Sequence, residues 1–174
     1  MVEEITSRMY EVEPGKIYAG PIPSAADPGM ILEVVRHPIE KWGVRTFINL
    51  MEEDETNSSG QPFNSYIEAA RSIDQSIEML RLPIPDCTAP NHEFMRKILD
   101  EIDSRLREGR PVYVHCWGGL GRTGVVVCCW LKRHGEADPL EKLRRLRACT
   151  NNSHRASPQS HDQYSLVKNW MKGF

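Results

Sequence analysis

One stretch of the sequence combines a cysteine, an arginine and three glycines in an arrangement that suits phosphate chemistry. It reads His-Cys-Trp-Gly-Gly-Leu-Gly-Arg-Thr over residues 115–123, so that five residues separate Cys116 from Arg122. The thiolate is the reactive form of cysteine, and a helix N-terminus and a nearby cation both favour it. The guanidinium of arginine stays charged and can hold two phosphate oxygens at once. The stretch therefore predicts a thiol nucleophile next to a phosphate clamp.

The residues between the cysteine and the arginine predict a loop that wraps around an anion. Glycines at 118, 119 and 121 allow the backbone to curl until successive N–H groups point at one tetrahedral ion. Thr123 follows the clamp, where its hydroxyl can donate to the Cys116 sulfur. The predicted phosphate-binding loop comprises His115, Trp117, Gly118, Gly119, Leu120 and Gly121. The Lys-Ser/Thr ending of a nucleotide-binding loop is absent.

The elements around this loop are expected to alternate between strands and helices. Short apolar runs predict strands at residues 16–23, 44–51, 78–85 and 111–116. Helices are predicted at residues 28–42, 62–75, 91–108, 125–131, 138–149 and 157–172, the last with Ser157 as its N-cap. Segment 51–61 is polar without apolar periodicity and is predicted to be a solvated loop. This order predicts an α/β fold with a central, mostly parallel twisted sheet flanked by helices.

A third chemical group is expected where the predicted strand 78–85 ends. Two prolines stop this strand, and Asp86 follows the second of them. Loops at strand ends often carry catalytic side chains. Asp86 is therefore the candidate general acid, and Asp100 and Asp103 are the alternatives.

The motif His-Cys-x5-Arg-Thr resembles the signature of the protein tyrosine and dual-specificity phosphatase superfamily. Pro83-Ile-Pro-Asp86 is similar to the loop that carries the general acid of that family. Residues 157–164 resemble its glutamine loop, in which Gln159 and Gln163 have the required spacing. The run Gly-Gly-Leu-Gly-Arg is most similar to the cyclin-kinase-associated phosphatase and to prokaryotic dual-specificity-like phosphatases. The resemblance implies a protein-tyrosine-phosphatase-like fold of dual-specificity size.

The resemblance also implies roles for these residues. Cys116 would attack phosphorus, Arg122 would hold the phosphate oxygens, and Asp86 would protonate the leaving oxygen. Gln159 or Gln163 would place the water that hydrolyses the phosphocysteine intermediate. The implied substrate is a phosphoprotein carrying phosphotyrosine, or phosphoserine and phosphothreonine, whose phosphate binds in the loop. No metal or organic cofactor is required.

Other activities remain open on the same scaffold. A phosphoinositide or RNA-end phosphatase would share the loop chemistry, although enzymes of that kind tend to place Lys where this chain has Trp117 and Leu120. A catalytically silent phosphopeptide-binding module would lack the nucleophile or the acid, and both are present. A disulfide between Cys87 and Cys116, formed on oxidation, is a further hypothesis.

Composition sets the remaining expectations. The chain has 174 residues, of which 40% are hydrophobic and 26% charged, as is typical of one globular domain. We therefore expect a single dual-specificity-type phosphatase domain over residues 1–174. A net charge of −2 gives no global field that would attract nucleic acid or anionic lipid. The five cysteines lack metal-ligand spacing, and no membrane span or leader pattern is present, so we expect a cytoplasmic monomer that binds neither nucleic acid nor membrane.

Overall fold

A single five-stranded sheet forms the centre of the computed structural model, which describes residues 1–174. The strands are β1 (Tyr10–Glu13), β2 (Ile17–Pro21), β3 (Thr46–Asn49), β4 (Glu78–Arg81) and β5 (Val112–Cys116). Their order in the sheet is β1-β2-β5-β3-β4. Only β1 and β2 pair antiparallel, and the other three pairs are parallel. The predicted α/β fold with a mostly parallel sheet is confirmed.

Helices cover both faces of this sheet. They are α1 (Val2–Thr6), α2 (Ile31–Trp42), α3 (Ile67–Ile73), α4 (His92–Arg107), α5 (Gly121–Arg133), α6 (Pro139–Leu146) and α7 (His161–Asn169), with short 3-10 turns at Pro28–Met30 and Arg147–Cys149. Helices α1 to α3 bury one apolar cluster against the sheet, and α4 to α7 bury a larger one. Neighbouring residues of a strand point to opposite faces, so Tyr113 joins the first cluster and Val112 and Val114 join the second.

Several predicted boundaries are wrong, and the reasons are local. The last helix begins at His161 instead of Ser157, because the Ser160 side chain accepts from the Gln163 backbone and caps the helix there. Helix α3 begins at Ile67 instead of residue 62, since Pro62 forms an isolated bridge with Thr56. Helix α1 and strand β1 were not predicted, because both are too short for a clear apolar period.

The sheet determines where the candidate residues meet. Strands β3, β4 and β5 are parallel and adjacent, so their carboxyl ends lie at one edge. In open α/β sheets, ligands bind at this edge. The loops that follow Asn49, Arg81 and Cys116 all begin there. None of the helices is both long and apolar enough to cross a membrane.

Candidate active site

The loop between β5 and α5 forms the centre of the site. Strand β5 ends at Cys116, and α5 begins at Gly121, so the loop connects the end of a buried strand to a helix N-terminus. Cys116 is buried, and the Thr123 Oγ1 donates to its Sγ at 3.1 Å. The sulfur therefore lies at the positive end of α5, next to a hydroxyl donor.

Two glycines of this region are needed because atoms of other segments lie against them. Gly119 has a φ of 71°, and a Cβ added there would lie 2.3 Å from the carbonyl carbon of Gly20. A Cβ added at Gly124 would lie 2.3 Å from the Ser157 Oγ. That hydroxyl donates to the Leu120 carbonyl at 2.7 Å. The loop is thus held between the end of β2 and the segment that precedes α7.

Arg122 lies beside this loop with its guanidinium almost fully buried. Its Nη1 donates to the Ile84 carbonyl at 3.1 Å, and its Nη2 lies 3.1 Å from the Asp86 Oδ1. Both Nη atoms also donate to the Glu55 carboxylate. Burial disfavours the charged form of Arg122 and acts to lower its pKa. The hydrogen bond to Glu55 and the nearby Cys116, Glu55 and Asp86 outweigh this effect of burial, so the pKa of Arg122 is raised. The Arg122 Nε has no hydrogen-bond partner in the protein.

Glu55 is a site residue that the sequence analysis missed. It lies in segment 51–61, where the prediction of a solvated loop is wrong for this side chain, because only 14% of it is exposed. The Glu52 backbone N–H donates to the Glu55 Oε1 at 2.7 Å, which fixes the carboxylate against Arg122. Because a buried arginine needs a counter-charge, the sequence did indicate that some acidic residue pairs with Arg122. The segment contains four acidic residues, so the signal does not identify which one turns inward.

Asp86 lies on the loop after β4, on the exposed side of Arg122. Its side chain is 56% exposed. The neighbouring Cys87 has a φ of 61°, and its Sγ lies 3.6 Å from the Asp86 Oδ2. The Asp86 charge raises the pKa of Cys87, which disfavours its thiolate. Cys87 and Cys116 are both free thiols, and their oxidative link stays a hypothesis.

The alternative acids lie away from this loop. Asp100 and Asp103 are on α4 and form ion pairs with Arg133 of α5. Asp103 also accepts from the Trp130 indole N–H at 2.8 Å. Asp86 is therefore the aspartate that the structure brings to the loop.

The two candidate glutamines have different surroundings. Gln163 is fully buried, and its Oε1 accepts from the backbone N–H groups of Gln159 at 3.0 Å and Ser160 at 3.2 Å. Its Nε2 donates to the Thr88 carbonyl at 2.9 Å. Gln159 is exposed, and its Oε1 lies 3.1 Å from the position a Cβ on Gly121 would take. The Gln159 amide is thus free to contact a water molecule, whereas the Gln163 amide is engaged within the protein.

His115 supports the loop from inside the protein. Its Nε2 lies 2.6 Å from the Tyr66 Oη, and its Nδ1 lies 3.4 Å from the Cys116 carbonyl oxygen. Burial lowers the pKa of His115 to about 3, so the ring is neutral at working pH. A neutral ring adds no positive charge beside the thiol, and its two contacts connect Tyr66 to the backbone of Cys116.

Comparison with known proteins agrees with this geometry. Residues 32–136 match a family model described as "Tc-R-P: Polymorphic toxin system, DSP-PTPase phosphatase". The chain belongs to this dual-specificity-type phosphatase family. The match covers more than half of the chain and includes β3, β5 and the loop up to α5. The chain is accordingly a cysteine-dependent phosphatase.

Individual curated relatives match parts of the chain. It is 41% identical over 68 residues to an uncharacterized protein of Methanocaldococcus jannaschii, covering 39% of this chain and 46% of that one. It is 32% identical over 110 residues to the dual specificity protein phosphatase CDC14A of Homo sapiens, covering 61% of this chain and 17% of that one. The matches thus span less than half of the length of these curated relatives.

A solved phosphatase structure matches nearly the whole chain. The crystal structure of Tk-PTP in the active form superposes with a TM-score of 0.70 at 27% sequence identity. The superposition covers 94% of this chain and 95% of that one. The overall fold of the chain is therefore similar to that of Tk-PTP.

Proposed function

We propose that this phosphatase hydrolyses phosphotyrosine in proteins, and phosphoserine and phosphothreonine, through a phosphocysteine intermediate. The observation that carries the proposal is the unpartnered Nε of Arg122, a buried cationic N–H beside the loop of Cys116. Buried donors in proteins nearly always have a partner. A phosphate oxygen is a suitable partner, and the loop amides and the α5 N-terminus favour the same anion.

In the first step, the Cys116 thiolate attacks phosphorus in line with the ester oxygen. The S–P bond forms as the P–O ester bond breaks, while Arg122 and the loop amides hold the other three oxygens. The Asp86 carboxylic acid gives its proton to the leaving oxygen. Its exposed position beside Arg122 supports this role, because a leaving group must be able to depart into solvent.

In the second step, water displaces the sulfur. Gln159 orients the water, and the Asp86 carboxylate takes a proton from it. The O–P bond forms, the P–S bond breaks, and the Thr123 hydroxyl donates to the departing thiolate over the 3.1 Å seen between Oγ1 and Sγ. Inorganic phosphate and the free thiolate are the products.

The charges around the loop support a protein substrate over a phosphoinositide. Glu52, Glu53 and Asp54 lie in the segment that carries Glu55, next to the clamp. Such an acidic run opposes a polyanionic head group or an anionic membrane surface. The loop itself has Trp117 and Leu120 at the positions between its glycines, and no Lys. We also propose that residues 1–174 act as one monomeric domain, which the single sheet with both faces covered supports.

The test is phosphate release from para-nitrophenyl phosphate and from phosphopeptides with a chelator present. Cys116→Ser is expected to abolish turnover, because an alcohol is a much weaker nucleophile than a thiolate. Cys149→Ser changes an exposed cysteine and serves as the matched control, with unchanged turnover expected. Turnover by Cys116→Ser close to the wild-type rate would refute the mechanism. Hydrolysis of phosphoinositides in preference to every phosphopeptide would refute the substrate class.

A further inference from the structure

A groove next to the phosphate-binding loop takes no part in the proposed reaction. It has a volume of about 630 Å³, within the range of ligand pockets. Its lining comes from residues 1–8 in and beside α1, from residues 21–26 at the end of β2 and after it, from residues 57–64 before α3, and from Trp117. Because Trp117 directly follows the nucleophile and belongs to the phosphate-binding loop, the groove adjoins that loop.

An aromatic surface forms the end of the groove nearest the nucleophile. Trp117 is 40% exposed, and its ring centroid lies 5.6 Å from that of Phe63. The other large hydrophobic side chains with comparable exposure are Met1, Met171 and Phe174, all within the first or last few residues. The Ile22 backbone N–H donates to the Trp117 carbonyl at 3.1 Å and fixes the position of this residue. An exposed aromatic side chain held in this way beside a reactive thiol marks a binding surface.

The walls of the groove are joined by hydrogen bonds, so the groove is already formed before a ligand binds. The Ser24 Oγ donates to the Asn64 carbonyl at 2.7 Å. The Asn64 side-chain amide donates to the carbonyls of Ala25 at 2.9 Å and Ala26 at 3.2 Å. Ligand binding to a preformed groove avoids the entropic cost of ordering its walls.

The charged side chains of the groove balance each other, so they give it no preference for an anionic ligand. Arg8 and Glu4 are the charged side chains in its lining, and their charges are opposite. The remaining lining side chains are apolar, hydroxyl or amide groups, among them Asn57 and Gln61. Amides pair with a peptide backbone, and the aromatic pair suits an apolar side chain. A neutral peptide segment therefore fits the groove better than a polyphosphorylated head group.

We propose that this groove binds the residues that flank the phosphorylated residue of a protein substrate. The segment lies extended along the groove, and one of its apolar side chains packs on Trp117 and Phe63. This inference rests on the proposed protein phosphatase function and adds a sequence preference to it. Substrates with a large apolar residue near the phosphorylated residue are hydrolysed faster than substrates without one.

The test is kcat/KM for phosphotyrosine peptides in which leucine is moved through the two positions on either side of the phosphorylated residue. At one of these positions, leucine should raise kcat/KM about tenfold over alanine, as expected for burying part of the side chain. Ala26→Trp fills the groove from one wall and should remove this preference. Ala137→Trp makes the same change at an exposed alanine outside the groove and should retain it.

Para-nitrophenyl phosphate separates this inference from the proposed function, because it does not extend beyond the phosphate-binding loop. The turnover of this substrate should be the same in Ala26→Trp and the wild type. If Ala26→Trp lowers it, Ser59→Trp takes its place, because it fills the groove from the other segment. Equal kcat/KM for the leucine and alanine peptides would overturn the groove inference and leave the protein phosphatase function standing. Turnover of phosphoinositides with none of any phosphopeptide would overturn both.

Discussion

At the residue scale, Arg122 combines burial, charge and an incomplete set of partners. A buried charge is tolerated when it is paired, and Glu55 supplies that pairing through both of its oxygens. Asp86 contacts the same guanidinium from the exposed side. The clamp is therefore held in place by one carboxylate, while the other carboxylate remains accessible for proton transfer.

His115 gives a pH prediction that follows from its burial. The folded pKa of about 3 lies below the ordinary value of 6.5, so between these values the unfolded chain binds a proton that the folded chain does not. Falling pH in this window therefore lowers the free energy of unfolding, by about 1.4 kcal/mol per pH unit for this one group. Above about pH 7 the effect is absent.

Urea unfolding of the wild type and His115→Gln at pH 7.5, 6.5, 5.5 and 4.5 tests this prediction. The variant is expected to be the less stable protein at pH 7.5, because it loses the contact with Tyr66. Its deficit should shrink as the pH falls, since glutamine does not titrate. His154→Gln changes an exposed histidine and should show no such convergence. A deficit that stays constant from pH 7.5 to 4.5 would show that His115 is not the buried neutral base described here.

At the scale of elements, the capping of α7 links two functional loops. The Gln163 side chain completes the capping box at the start of the helix and reaches the Thr88 carbonyl of the Asp86 loop. The same side chain accepts from the Gln159 backbone. One buried amide therefore fixes both the loop of the proposed general acid and the residue proposed to orient water.

Gln163→Met should consequently impair the first chemical step, although Gln163 does not touch the substrate. Without its hydrogen bonds the Asp86 loop loses its anchor, so kcat should fall more for phenyl phosphate, which needs protonation of its leaving group, than for para-nitrophenyl phosphate. The factor by which kcat falls on phenyl phosphate should exceed the factor on para-nitrophenyl phosphate by about tenfold or more. Gln159→Met is the matched comparison, and it should slow the second step and give a burst of para-nitrophenol. Equal losses of kcat on both substrates in Gln163→Met would contradict the proposed anchoring.

Elements that are determined by residues close together in the sequence were predicted correctly. Helix α4 begins after Asn91, whose side chain accepts from the Phe94 backbone at 2.8 Å, as the N-cap pattern indicated. Strand β5 and the glycine-rich loop also lie where predicted. Glu55 and the Gln163 contact to Thr88 could not be predicted, since both depend on segments far apart in sequence that meet only after folding.

At the scale of the whole molecule, the site joins loops from four parts of the chain. These are the segment after β3 with Glu55, the segment after β4 with Asp86, the loop after β5, and the segment before α7. Their hydrogen bonds converge on Arg122, Leu120 and Gln163. A ligand held at this point should therefore stabilise the entire fold, since none of these loops can leave without breaking contacts in another.

Inorganic phosphate should accordingly raise the melting temperature. At about 100 times its Kd, a ligand that binds only the folded state adds about 2.7 kcal/mol, which corresponds to roughly 5–10 °C for a chain of this size. The Cys116→Ser variant should show a shift of similar size, because the loop amides and the Arg122 guanidinium hold the oxyanion. Arg122→Lys keeps the charge but loses the planar fork, so its shift should be much smaller. Arg145→Lys makes the same change at an exposed position and should retain the full shift. A full shift in Arg122→Lys, measured by scanning calorimetry, would place the oxyanion away from the clamp and refute the site described here.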